Sequence, residues 1–433
     1  MTLPSILFIT CHDLGRHLAC YGQETVLSPN LDRLAAEGVR FANSFCTAPQ
    51  CSPSRAALHT GRHAHSVGAL GLAHHPFDWY LEPAAGHLVT RLHQIGYHTA
   101  LFGGQHVTRQ EWLPAMGYDH WTGEAPAPAL AQQVHAYLKQ LDGNQPFYLE
   151  IDFAEAHRPY DWGGARPEHS LGVKVPPTIP NHPAALAEFA ALQGAIRQLD
   201  EGVGLALAAL DELGLRQETL VVFTTDHGLA MPRAKCTLYD AGIGTMLILR
   251  WPAGGVPGGQ VFEHLISHVD VTPSLLEALG ESFPAGEFHG RSFWPLVQDR
   301  PYQPNDAIFA EKSFHTAYEP MRAVRSASHK LILNFESGSA FDVPDDVRNG
   351  AIYPLMVDQA TGHRPHAELY DLQHDPQERT NLAGRPEVAE KEAELRGRLR
   401  SWMEETNDPL LDGPPRSPFY EATVASLAES PSS

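Results

Sequence analysis

The sequence predicts an α/β protein in which a large mixed, mostly parallel sheet is sandwiched by helices and is followed by a smaller antiparallel sheet with one packed helix. Three observations carry this. Short continuous apolar runs, the mark of strands buried on both faces, alternate with helical stretches, and parallel neighbours of that kind need crossover connections. One segment, from about Ala184 to Leu213, keeps an unbroken helical period. Around Pro301–Asn305 the pattern changes to short strands that end in an amphipathic helix.

In chain order, Ile6–Thr10 is the first strand. It has no basic stretch before it and no small-residue cleavage site after it, so it reads as a strand and not as a signal peptide. Asn30–Glu37 is a helix with Ser28-Pro29 as its cap. Thr99–Phe102 and Phe147–Phe153 are strands. In the long helix, Phe189, Leu192, Ile196, Leu199, Val203, Leu207 and Leu210 fall on one face and mark it as core. Leu220–Thr224 and Met246–Leu249 complete the buried strands. Beyond Asn305, Arg322–Arg325 and Lys330–Asn334 are strands, and Val388, Leu395, Leu399 and Trp402 are the apolar stripe of a helix that Pro386 opens. A chain of 433 residues exceeds what one core holds. The expected division is 1–304 for the main domain and 305–433 for a C-terminal subdomain, with the Ser/Pro-containing last residues frayed.

A formal charge of −20 disfavours nucleic acid and anionic membranes as partners, and it requires any anionic substrate to be met by locally clustered Arg, Lys and His. No apolar run approaches the ~18 residues that span a bilayer. Five cysteines at irregular spacing do not form a disulfide framework, and a cytoplasmic location is expected.

Chemistry concentrates at Cys51-Ser52-Pro53-Ser54-Arg55, continuing to Leu58, Thr60, Gly61 and Arg62. Pro53 places this run in the first turn of a helix, where unpaired N–H groups and the helix dipole favour an anion. A buried thiol serving as a small hydrophobe is the plain alternative for any cysteine, and it suffices for Cys11, Cys20, Cys46 and Cys236. His12-Asp13 follows the first strand and Asp226-His227 follows Leu220–Thr224, at the carboxyl strand ends where open α/β sheets hold ligands. Either pair alone reads equally well as a capping Asp. Together, beside the cysteine run, they offer carboxylate and imidazole ligands for one cation.

The stretch CSPSRAALHTGR resembles the signature of the type I sulfatases. The resemblance implies an alkaline-phosphatase-like fold and a Cys51 that a separate maturase oxidises to formylglycine, whose hydrate is the nucleophile. It implies one divalent cation held by Asp13, Asp226, His227 and residue 51. His12 stands where most members carry an Asp, so the cation set would gain a second imidazole; calcium is the family's default, and imidazole also suits manganese or zinc. The stretch from Gly96 to His106 resembles the family's second signature. His106 fits it, whereas Gly104 occupies the position of a lysine, and Gln105 is an uncharged donor beside it. His157, Lys235 and Arg55 match positions that hold or protonate the substrate, with Asp226 as base.

Within the family the most extensive likeness is to the N-sulfatases, the sulfamidases acting on N-sulfoglucosamine. It runs through the GLAHH segment, the long helix before FTTDHG, YEPMRAVRS and ELYDLQHDPQERTNLA. It implies a small anionic sulfated substrate, a sugar, with His74, His315 and Arg322 as substrate-binding residues, and a homodimer. Most of the remaining histidines after the cassette, His59, His63, His65 and His75, are expected at the surface or behind the ligands. Two other readings stand beside this one. The Asp-His pair and Gly104 suit a phosphonate monoester or phosphodiester hydrolase of the same superfamily, and His12 with Gly104 suits a non-catalytic binding descendant.

Overall fold

The computed structural model describes residues 3–338, 343–360 and 362–428. Its large sheet contains β1 (Ser5–Cys11), β2 (Val39–Phe45), β3 (His98–Gly103), β4 (His120–Trp121), β5 (Phe147–Phe153), β6 (Thr219–Thr225), β7 (Gly244–Thr245), β8 (Leu247–Arg250) and β9 (Gln260–Ser267). The order is β4-β3-β5-β1-β6-β8-β2-β7, with β9 also on β2. β4, β3, β5, β1 and β6 are mutually parallel. β8 runs antiparallel to both β6 and β2, which makes the sheet mixed.

β1 lies between β5 and β6 and is apolar on both sides because both are covered. Leu7 and Ile9 pack with Phe189, Ile196 and Val203 of the long helix Pro183–Glu212. Ile6 and Phe8 pack on the other face with Leu58, Leu88 and Leu275. Each such fully buried side chain contributes about 1.5–3 kcal/mol relative to exposure. All seven residues of the predicted stripe on the long helix are buried.

The helix Pro29–Glu37 begins where the sequence places it, but the Ser28 side chain does not cap it. Asp200 of the long helix does so instead, accepting from the N–H groups of Asn30 at 3.1 Å and Leu31 at 2.8 Å. β2, β4 and β9 were not expected from the sequence. β9 is exposed over its first half except at Phe262, and β2 carries Arg40, Asn43 and Ser44, so neither presents a continuous apolar run.

The small sheet, β10 (Ala307–Phe314), β11 (Tyr318–Ser326), β12 (His329–Asn334) and β13 (Ala367–Asp371), is wholly antiparallel. Leu395, Leu399 and Trp402 of the helix Ala389–Glu405 cover Val324, Leu331 and Leu369 on one face. The other face shares a core with the large sheet through Phe45, Leu238, Leu265, Ile308 and Ile332. The terminal residues 429–433, expected to fray, lie outside the described residues. Among the described residues no helix is long and apolar enough to cross a membrane.

Burial pushes several imidazoles far below their ordinary pKa: His17 and His289 to about 4, His59 and His87 to about 3. The folded protein therefore holds them neutral, while the unfolded chain protonates them near pH 6.5. Their contribution to stability is fully present above that pH and is lost as pH falls toward 4, because the unfolded state then binds more protons. The urea midpoint is expected to drop steadily between pH 7.5 and pH 5. A flat profile over that interval would show that these rings are not held neutral.

Candidate active site

Cys51 opens the helix Cys51–Thr60 and is only 5 % exposed. The rest of the cassette builds this position. Ser52 Oγ accepts from Ala73 N at 2.9 Å, and Ser54 Oγ donates to the Asp226 carbonyl at 2.5 Å, tying the helix to the end of β6. Gly61 ends the helix at φ 65°, and a Cβ there would sit 2.6 Å from the Phe288 ring, so both conformation and space ask for glycine. Burial raises the Cys51 thiol pKa well above its usual value; Lys235 and Arg55 act against this, and Asp226 and Asp13 add to it.

β1 and β6 are neighbours, with Cys11 opposite Thr225. Their carboxyl ends thus bring Asp13, Asp226 and His227 together. Asp226 Oδ1 accepts from the N–H groups of Asp13 at 2.9 Å and His227 at 2.8 Å. His227 Nδ1 lies 3.0 Å from the Gly228 carbonyl, which leaves Nε2 facing Asp13 Oδ1 at 3.2 Å and Cys51 Sγ at 3.4 Å. One ligand atom from each of Asp13, Cys51, Asp226 and His227 lies within 4.8 Å of all the others. Asp13 Oδ1 is buried and receives no hydrogen bond. An orphaned carboxylate oxygen amid such donors is what a divalent cation requires.

His12 is not part of that group. Its Nε2 turns to Asp152 Oδ2 at 3.3 Å, and its Nδ1, 3.5 Å from Asp226 Oδ2, makes no hydrogen bond. Asp152, opposite Thr10 at the end of β5, engages one nitrogen of the ring and leaves Nδ1 beside Asp226. Asp152 itself was missed, although two carboxylates, Glu150 and Asp152, in a wholly buried strand were the available signal.

Arg55 is buried against two carboxylates. Its Nη1 is 2.7 Å from Asp152 Oδ1 and its Nη2 is 3.3 Å from Asp226 Oδ2. Burial opposes its charge, but Asp152 and Asp226 outweigh that and hold its pKa above the usual value. Gly104 faces the same place: a Cβ there would lie 3.0 Å from Glu124 Oε1 and 3.2 Å from Asp152 Oδ2. His106 stands edge-on to His12 with ring centres 4.9 Å apart, and its Nε2 is 3.5 Å from Glu124. Gln105 turns away, accepting from Val107 N and Thr108 N and donating to the Thr108 carbonyl, so it does not serve as a substrate donor.

Across the cluster, Lys235 Nζ is 3.0 Å from Asp13 Oδ2 and 2.7 Å from Asp346 Oδ2. Burial opposes its charge, yet Asp13, Cys51 and Asp346 prevail and raise its pKa. His157 Nε2 lies 3.7 Å from Asp13 Oδ2 and 3.8 Å from Asp346 Oδ2. No sequence signal pointed to Asp346.

His315, in the turn between β10 and β11, is buried with Nδ1 unpartnered, and burial followed by Lys235 pushes it down to about 3. His74 is exposed beside Phe77, and His75 is exposed too. His59, His63 and His65, expected at the surface or behind the ligands, are instead packed inside. His59 stacks on His87, and His65 bridges Glu311 and Thr406 at 2.9 Å each.

Arg322 is also a correction, since it does not reach the pocket. It is fully buried in the small sheet, paired in a fork with Asp408 at 2.5 and 2.9 Å and donating to the Lys312 carbonyl at 2.9 Å.

The strand-end site, with a candidate cation-ligand group on one side and the buried Arg55 and Lys235 on the other, suits an anionic ligand. The chain belongs to the sulfatase family: the sulfatase family model matches residues 4–281, and that of the N-sulphoglucosamine sulphohydrolase C-terminal region matches residues 227–351. Human N-sulphoglucosamine sulphohydrolase is 28% identical, with 94% of this chain and 91% of that protein covered. Mouse steryl-sulfatase is 30% identical over 90% and 80% of the two chains. An ulvan-active sulfatase of Formosa agariphila is 27% identical over 94% and 75%. Among solved structures, a putative sulfatase from Bacteroides fragilis superposes with TM-score 0.76 at 21% identity, covering 96% of this chain and 98% of that one. A protein in complex with its substrate D-glucosamine-2-N,6-O-disulfate superposes with TM-score 0.74 at 18% identity, covering 94% and 99%.

Replacing Arg322 by Met strands Asp408 inside the protein and is expected to cost about 3–5 kcal/mol of stability, read from urea unfolding, with KM for substrate unchanged. A raised KM at unchanged stability would restore Arg322 to the substrate site.

Proposed function

We propose that the protein hydrolyses the sulfamate or sulfate ester of a sulfated sugar, N-sulfoglucosamine-like, through a formylglycine that a maturase makes from Cys51. One observation carries this reading: residue 51 is buried at a helix N-terminus with Asp13, Asp226 and His227, each offering a ligand atom within 4.8 Å of the others. An aldehyde hydrate in the same position offers one oxygen to attack sulfur and a second hydroxyl to expel sulfate afterwards.

Asp13, Asp226 and His227 are the residues that would hold the cation, together with residue 51. The bound cation would supply positive charge to the sulfuryl oxygens and ease ionisation of a neighbouring hydroxyl. Calcium follows the family, and a single imidazole among carboxylates is also compatible with manganese or zinc. Asp226, within 4.8 Å of residue 51, is the base. Arg55 keeps Asp226 ionised and oriented, and Lys235 meets the charge that develops on the transferring group. His157 faces the cluster through Nε2 and protonates the departing atom, with His106 on the far side of His12 as the alternative donor. His74 and His315 contact the sugar from the rim and from the β10–β11 turn. A homodimer belongs to the same proposal.

A second reading, a phosphonate monoester or phosphodiester hydrolase, is favoured by position 104, where glycine faces Asp152 and Glu124 without an ammonium. The two differ in which anion is turned over, and a competition between sulfamate and phosphodiester substrates separates them.

Peptide mass spectrometry across residue 51 of the natively produced protein is expected to show loss of sulfur and gain of an aldehyde. Sulfate release should vanish in Cys51→Ala. An unmodified thiol together with undiminished turnover in Cys51→Ala would remove the reading, and metal content without any turnover would favour a binding descendant. Lys235→Ala should lower kcat by about 10²–10³; a change confined to KM would mean that Lys235 only collects substrate.

A further inference from the structure

Asp346 is an acidic residue set where an anion is to be received, and the chemistry above gives it no part. It sits on the short turn Asp345–Arg348, held down because Glu188 of the long helix accepts from Ile352 N at 2.8 Å and pairs with Arg158. Its Oδ2 lies 2.7 Å from Lys235 Nζ and 3.8 Å from His157 Nε2. Together with Asp13 and His157 it has the spacing of a metal group, but Lys235 Nζ already stands between the two carboxylates, at 3.0 and 2.7 Å, as their cation. The same residue walls a cavity of about 670 Å³ that Tyr160, Asp161, Glu188 and Asn349 also line. Asp346 therefore borders both the reacting groups and a space large enough for a sugar ring.

A carboxylate in this position repels a sulfuryl group unless it meets a hydrogen-bond donor on the substrate. The bridging oxygen of a sulfate ester carries no hydrogen, whereas the bridging nitrogen of a sulfamate carries one. We propose that Asp346 is the residue that selects sulfamates over sulfate esters, accepting the N–H of the scissile S–N bond while the sugar occupies the adjoining cavity; this rests on the sulfatase reading above. With its hydrogen so held, the nitrogen turns its lone pair to His157. As the S–N bond breaks, the electron pair goes to nitrogen, which takes the His157 proton, and the sulfuryl group passes to the oxygen at residue 51. The amine product, once protonated, pairs with Asp346.

The test uses full-length protein whose residue 51 is verified as converted, assayed on N-sulfoglucosamine and on glucosamine 6-O-sulfate. Asp346→Asn should lower kcat/KM for the sulfamate by roughly 10–100-fold, the loss of a hydrogen bond to a charged group, and lower it clearly less for the ester, which shares only the loosened Asp346–Lys235 pair. Inhibition by glucosamine should weaken in the same variant, a readout that a merely structural role would not move. Equal losses on both substrates, or glucosamine inhibition unchanged, would overturn the inference while leaving the sulfatase reading intact. Turnover of neither substrate by the unaltered protein would remove that reading and the inference with it. If Asp346→Asn folds poorly, Asp346→Ser carries the same comparison.

Discussion

The clamp of Arg55 on Asp152 and Asp226 is the interaction on which the site depends. Three strands end at this point: β1 with Asp13, β5 with Asp152 and β6 with Asp226. Three buried carboxylates so close would repel one another or take up protons. A guanidinium, planar and always charged, spans two of them at once and cannot be neutralised in turn. Its place on the helix that also carries Cys51 fixes residue 51 relative to the strand ends. Lys235 does the same on the other side, between Asp13 and Asp346. Arg55 and Lys235 thus stand as fixed positive charges among the carboxylates of Asp13, Asp152, Asp226 and Asp346.

Much of this was legible in the sequence where the signal is local. Strands buried on both faces read as continuous apolar runs, and five of them fell where the structure has them. Asp13, Asp226, His227 and Cys51 were legible because each follows a strand end or opens a helix, so that chain position alone sets their direction. The strands β2 and β9 were lost for the opposite reason: each has a half-open face, and its polar residues interrupt the run.

Side chains whose partners come from distant parts of the chain were not legible. Asp152 sits inside a strand that reads as apolar, and its importance lies in Arg55, 97 positions away. Asp346 comes from 111 positions beyond Lys235, on a short turn with no periodicity of its own. Arg322 and Lys235 have the same charge and the same burial, yet one is closed off by Asp408 and the other faces the cluster. Only the third dimension separates them. The histidines show the same limit: of the group after Cys51, His59 entered the core by stacking on His87, and His63 and His65 by stacking on each other and meeting Trp402 edge-on.

The two departures from the family pattern, His12 for an acid and Gly104 for a lysine, look damaging when taken singly. In space they are one change. The Asp152 oxygen that would meet a side chain at position 104, 3.2 Å from its Cβ, is the same oxygen that His12 Nε2 approaches at 3.3 Å. His12 therefore stands as the partner of Asp152 that a lysine at 104 would otherwise be. The charges balance too, since losing one carboxylate and one ammonium leaves the sum unaltered. Burial and Arg55 keep His12 from gaining a proton that would upset this balance. A chain drifting toward inactivity would have no reason to change both positions in compensating directions around one oxygen. The pair is better understood as an alternative way of holding Asp152, and through it Arg55, in place beside residue 51.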